Sequence, residues 1–154
     1  MQETLLIGIG NRFRSDDGIG GEIIDRLVKL DLSGVRAVEA SGEGAGLIDL
    51  WAGYNDVYVF DAVASGAQAG HIFRIDTESD PVPTGFFNYS THAFSLAEAI
   101  ELSRNLKSLP PNLVVYGIEG RNFEHGLDIS PVVLSAATEV VSLVSKELEC
   151  TKLH

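Results

Sequence analysis

The run Leu5-Leu6-Ile7-Gly8-Ile9-Gly10-Asn11-Arg12-Phe13-Arg14-Ser15-Asp16-Asp17-Gly18-Ile19-Gly20 joins a short apolar strand to the start of a helix through a loop that ends in two carboxylates. A strand that feeds straight into a helix is the opening unit of a parallel α/β sheet. A dinucleotide fingerprint would place its third glycine at position 13, where Phe13 stands. Asp16 and Asp17 would also repel a pyrophosphate at the helix start. With no Walker-type Gly-x-x-x-x-Gly-Lys run anywhere in the chain, both common kinds of nucleotide site are disfavoured.

Further along, apolar runs rich in Val, Ile, Leu and aromatics alternate with segments of helical periodicity, so the expected fold is a single three-layer α/β domain. Its twisted, mostly parallel five-stranded sheet is flanked by helices. The strands are expected at Thr4 to Ile9, Val35 to Glu39, Asp56 to Val63, His71 to Ile75 and Leu113 to Ile118. The first helix is expected from Gly18 to Leu30, with Ile19, Ile23, Leu27 and Leu30 on one face and a Glu22–Arg26 ion pair on another. A second covers Ala45 to Ala52. Ser95 and Glu98 form a capping-box pair for the third, whose stripe is Leu96, Ile100 and Leu106. The last opens at Ser130-Pro131, a side-chain cap followed by a proline, and turns Val133, Ala136, Val140, Leu143 and Val144 inward. Between Asp76 and Thr91, two prolines, a glycine and adjacent phenylalanines without periodicity predict a long surface loop.

At 154 residues with 45% hydrophobic content, the chain suits one domain, 1–154, ending in a polar tail at about 149–154. No stretch approaches the roughly 18 apolar residues of a membrane span, and Met1-Gln2-Glu3-Thr4 lacks the pattern of a signal peptide. A cytoplasmic monomer is expected. Cys150 is the one cysteine, so packing rather than disulfides or a thiolate cage must hold the fold. A net charge of −11 argues against nucleic acid as a partner and suits a protein or a cation.

Three residues are the candidates for chemistry. Asp16 or Asp17 alone reads as a helix cap that complements the helix dipole, but two in succession leave one spare. If Asp16 turns toward backbone amides, Asp17 projects from the carboxyl end of the first strand. Asp61 ends the apolar run Val57-Tyr58-Val59-Phe60, where a carboxylate is costly unless paired, hydrogen-bonded or bound to a cation; the bland alternative is a turn-making acid. His92, just before the third helix, is by itself an ordinary loop histidine. Together, two carboxylates and an imidazole suit a divalent first-row metal and leave coordination positions open. His125 and the arginines Arg12 and Arg14 read as polar surface residues, and Phe86, Phe87 and Tyr89 as packing or an apolar docking patch. No Ser-His-Asp set, cysteine nucleophile or His-Glu-x-x-His helix is evident.

Gly8-Ile9-Gly10-Asn11 with Asp16-Asp17-Gly18-Ile19-Gly20, Asp61-Ala62, Ser90-Thr91-His92 and Gly117-Ile118-Glu119, in this order, resemble the hydrogenase maturation endopeptidases. The resemblance implies removal of a C-terminal extension from a nickel-iron hydrogenase large-subunit precursor after nickel insertion. It implies that Asp17, Asp61 and His92 contact nickel carried by the substrate, with no resident cofactor; Asp17 and Asp61 are then the expected catalytic residues, one of them serving as base in metal-assisted hydrolysis. Asn11, Asp16 and Glu43 are then expected to touch substrate. The segment Ala40-Ser41-Gly42-Glu43-Gly44-Ala45-Gly46 departs from the Asp-Gly-Gly-Thr of many relatives, which bears on the choice of hydrogenase. The alternatives left by the residues are a hydrolase or oxygenase with its own metal, a non-catalytic flavodoxin-like module, and a binding-only chaperone.

Overall fold

The computed structural model describes residues 3–83, 85–86 and 94–152. Five strands, β1 (Thr4–Ile9), β2 (Val35–Ala40), β3 (Asp56–Val63), β4 (Ile72–Asp76) and β5 (Asn112–Glu119), form one sheet in the order β2-β1-β3-β5-β4. Four helices, α1 (Ile19–Lys29), α2 (Gly44–Trp51), α3 (Leu96–Asn105) and α4 (Pro131–Lys152), cover it. The single α/β domain with a mostly parallel five-stranded sheet is as expected from the sequence.

The centre of the sheet explains why β1, β3 and β5 read as continuous apolar runs. Each has neighbours on both edges and helices on both faces, so β1 is buried throughout and β3 and β5 are buried after their first residue. Side chains alternate between two cores. Leu6, Tyr58, Phe60, Tyr116 and Ile118 pack with α1 and α4 on one face, whereas Leu5, Ile7, Val57, Val59, Val63 and Val115 pack with α2 and α3 on the other. By the same alternation Asp61 lies between Val59 and Val63 on the α2/α3 face.

Several expected details shift. β4 begins one residue later than expected, at Ile72, and runs antiparallel to β5. Leu30 and Leu106, expected inward, are the C-cap residues that follow α1 and α3 and are 50% and 64% exposed. Leu143 is 37% exposed, and Val133, Ala136, Ala137, Val140, Val144 and Leu148 make the buried stripe of α4. The Glu22–Arg26 pair forms at 3.2 Å. The Ser95 amide and hydroxyl both donate to the Glu98 carboxylate, at 3.2 and 2.7 Å. α4 continues through Cys150, so most of the polar tail is helical. No helix among the described residues is long and apolar enough to cross a membrane.

The strand order positions the site. From β1 the chain passes to β2 on one side, then returns to β3 on the other side of β1. Connections that leave neighbouring strands in opposite directions open a crevice at the strands' carboxyl ends, here between β1 and β3.

Candidate active site

Glycines bring the first loop into that crevice. A Cβ on Gly8 would lie 2.4 Å from the Gly20 carbonyl oxygen, and one on Gly20 would lie 2.3 and 2.6 Å from the carbonyl oxygens of Ile9 and Phe60. The start of α1 therefore rests directly on β1 and β3. Gly10 adopts φ +135°, and a Cβ there would lie 1.9 Å from the Asp17 carbonyl oxygen. The spaced glycines of the quoted motif are thus explained by backbone contact between strand, loop and helix.

Asp17 sits in the 3-10 turn Ser15–Gly18 that precedes α1, and is half-buried. Its Oδ2 accepts the Asn11 amide at 2.9 Å. Burial raises its pKa, opposed by the Asn11 hydrogen bond and the charge of Arg14. Asp61 is 7% exposed, and its Oδ1 accepts the amide of Ala62 at 2.8 Å. Burial, followed by the charge of Asp17, holds its proton well above the usual carboxylate range. Asp17 and Asp61 line one cleft, open to solvent, whose walls include Gly10, Ser41, Gly42 and Phe123. Two carboxylates that each resist ionisation in one cleft form a site that a cation would relieve.

Asp16 corrects an expectation. It is fully buried, and its carboxylate accepts the amides of Arg121, Asn122 and Ser130 and the Ser130 hydroxyl, at 2.6 to 2.9 Å. A group so enclosed is a fastener between two loops rather than a contact for substrate. The Ser130 hydroxyl, expected to cap α4, donates to this carboxylate. Glu43, also expected at the substrate, is the N-cap of α2 and accepts the amides of Ala45 and Gly46, each at 2.9 Å. Asn11 is exposed beside Asp17; its Oδ1 accepts the Phe13 amide at 2.9 Å, so it shapes the loop that carries Asp17. His92 lies outside the described residues, as do Phe87 and Tyr89. Phe86 is half-buried, with its ring 4.7 Å from that of Phe73. Among the described residues no three His, Cys, Asp or Glu side chains converge as a metal cage.

Two residues named in the sequence have supporting roles that their local pattern does not reveal. Arg12, expected as a polar surface residue, clamps Glu39 at 2.8 and 2.9 Å, Asp25 at 2.9 Å and the Gly21 carbonyl at 2.9 Å. It ties the first loop to α1 and β2. Glu119, 3% exposed at the end of β5, receives the amides of Ser65 and Ala67 and the Ser65 hydroxyl. An acid closing an apolar strand marks Glu119 as it marks Asp61.

Fold and cleft define a doubly wound α/β protein with an acidic switch-point crevice. The chain belongs to the hydrogenase maturation protease (HycI) family, whose model matches residues 22–147. It is 25% identical over 149 residues to the hydrogenase expression/formation protein HupD of Thiocapsa roseopersicina, covering 95% of this chain and 67% of that one. It is likewise 25% identical to the hydrogenase 2 maturation protease of Escherichia coli K12, over 84% of this chain and 80% of the other. The fold is similar to that of the Escherichia coli hydrogenase maturating endopeptidase HybD, with a TM-score of 0.82 over 97% of this chain and 94% of that one at 22% identity.

Proposed function

We propose that this peptidase removes the C-terminal extension of a nickel-iron hydrogenase large-subunit precursor once nickel is in place. The nickel carried by the substrate is its recognition signal, met by Asp17, Asp61 and His92. The observation that carries this proposal is the shared cleft of Asp17 and Asp61, where burial and like charge make two carboxylates costly in the absence of a cation. A metal that arrives with its own ligands needs only a few more donors, and two carboxylates with an imidazole supply them. Nickel-loaded precursor then docks productively and empty precursor does not, so cleavage acts as a checkpoint on metal insertion.

Substrate nickel would polarise the scissile carbonyl or acidify a bound water, and one of the two carboxylates would take the proton from the attacking water. The protein needs no metal of its own in this scheme and works as a monomer in the cytoplasm.

Intact-mass analysis of nickel-loaded and nickel-free precursors incubated with the purified protein tests it. Loss of the tail from the loaded form alone is expected. Equal cleavage of both would overturn nickel recognition, and a stoichiometric metal in the purified protein would favour the resident-metal alternative.

A further inference from the structure

We propose that Phe13 and Leu127 form the docking surface for the folded body of the precursor, engaging an apolar patch next to its tail. The proposal rests on the precursor-processing function above and adds the surface through which the substrate is held. Phe13 is 68% and Leu127 71% exposed, the highest values among the large hydrophobic residues described. Single exposed apolar residues are ordinary. These two stand on adjoining loops that are braced against each other and against the site.

The bracing is explicit. The Gly126 amide donates to the Phe13 carbonyl at 2.9 Å, and the Ser15 amide donates to the Gly126 carbonyl at 2.9 Å. The Ser15 hydroxyl donates to the Glu124 carbonyl at 2.8 Å, and Arg14 and Gly126 form a parallel bridge. Beneath them, Asp16 grips Arg121, Asn122 and Ser130. The Phe13 amide is held by Asn11, whose own amide holds Asp17. Phe123, on the second loop, lines the cleft itself.

Phe13 and Leu127 are therefore held by backbone bonds in a fixed relation to Asp17, so little loop entropy is lost when a partner covers them. Other exposed apolar residues, such as Val28 and Leu30, lie at the opposite end of the sheet, at the end of α1. A peptidase that cuts a tail from a folded protein must meet that protein's surface beside the cleft, and the exposed pair stands on the two loops that line it, one through Gly10 and Asp17 and the other through Phe123. Aromatic side chains buried at the centre of an interface carry much of its binding energy, and Phe13 is the aromatic member of the pair.

The test compares the wild type, Phe13→Ser/Leu127→Ser and Val28→Ser/Leu30→Ser in steady-state cleavage of nickel-loaded, full-length precursor. Melting temperature establishes folding, and Phe13→Leu serves as the conservative rescue. We expect KM to rise about tenfold or more in the Phe13/Leu127 variant, with the loss falling on KM rather than kcat, and no comparable change in the Val28/Leu30 variant. Phe13→Leu should recover most of the loss. An unaltered KM, or a loss confined to kcat, overturns the docking surface while leaving the processing function intact. A wild type that cuts no precursor overturns the function, and the docking surface with it. Sedimentation adds a separate outcome: a wild-type dimer that Phe13→Ser/Leu127→Ser dissociates would assign the patch to a second copy of this chain.

Discussion

The Asp16 carboxylate accepts the Ser130 amide at 2.6 Å and the Ser130 hydroxyl at 2.9 Å, tying the turn before α1 to the residue before α4 across 114 positions of sequence. With the Arg121 and Asn122 amides also bound, one buried charge organises the loop after β5 around the residue that precedes Asp17.

Replacing Asp16 by Asn should therefore destabilise the fold by about 2–4 kcal/mol, since charge-assisted hydrogen bonds are lost and an amide NH₂ is turned toward N–H donors. Urea denaturation measures the loss. Hydrogen exchange identifies its cause: protection should fall first at Arg121, Asn122 and Ser130. Unchanged protection there would show that the carboxylate is not what holds this loop.

What could be read from sequence follows from the range of each interaction. The central strands and the helix starts were legible because burial on both faces and capping patterns are local, and Ser95 with Glu98 sits three residues apart. The direction of β4 was not, because five residues of strand carry no mark of which way they run. Nor was the task of Asp16, whose partners lie 105 to 114 residues away. The same limit separates Asp61 from Glu119. Both are buried acids near strand ends, yet Glu119 meets the Ser65–Ala67 loop and Asp61 faces a cleft. Sequence marks where a costly acid stands, whereas the fold decides whether its cost is met internally.

Gly20→Ala should cost about 1–3 kcal/mol, because the new methyl meets the carbonyl oxygens of Ile9 and Phe60 at 2.3 and 2.6 Å and backbone must move to admit it. The displacement occurs where α1 rests on β1 and β3, so Asp17 moves with it and cleavage should fall as well. Thermal unfolding and the cleavage rate check the two effects together; a normal melting temperature would mean that the contact yields freely.

Asp61→Asn is expected to separate stability from activity. A carboxyl whose folded pKa lies above its unfolded value of about 3.9 binds its proton more tightly when folded. Its contribution is thus fully present at low pH and is lost as pH rises from the unfolded pKa through the folded one. At neutral pH, above the unfolded pKa, the carboxyl therefore weighs against folding, so Asn should stabilise the fold while cleavage is abolished. The gain should shrink on acidification, as Asp61 takes up its proton and comes to resemble the amide. Denaturation curves at neutral and acid pH decide it; an equal gain at both would show that the charge is not the cause.

Cleavage should also have an acid limb set by Asp61. The carboxylate is the form able to meet a cation, and burial together with the charge of Asp17 delays its appearance until pH is well above the ordinary carboxylate range. Below that point kcat/KM should fall about tenfold per pH unit, the slope for loss of one essential base. Asp17→Asn removes a like charge, which favours ionisation, so the Asp61 pKa must move down in that variant even though cleavage is lost. Carbon NMR titration of the Asp61 carboxyl reads this without any turnover. An unmoved pKa would mean that the two carboxylates do not sense each other across the cleft, and the case for a shared cation site would fail with it.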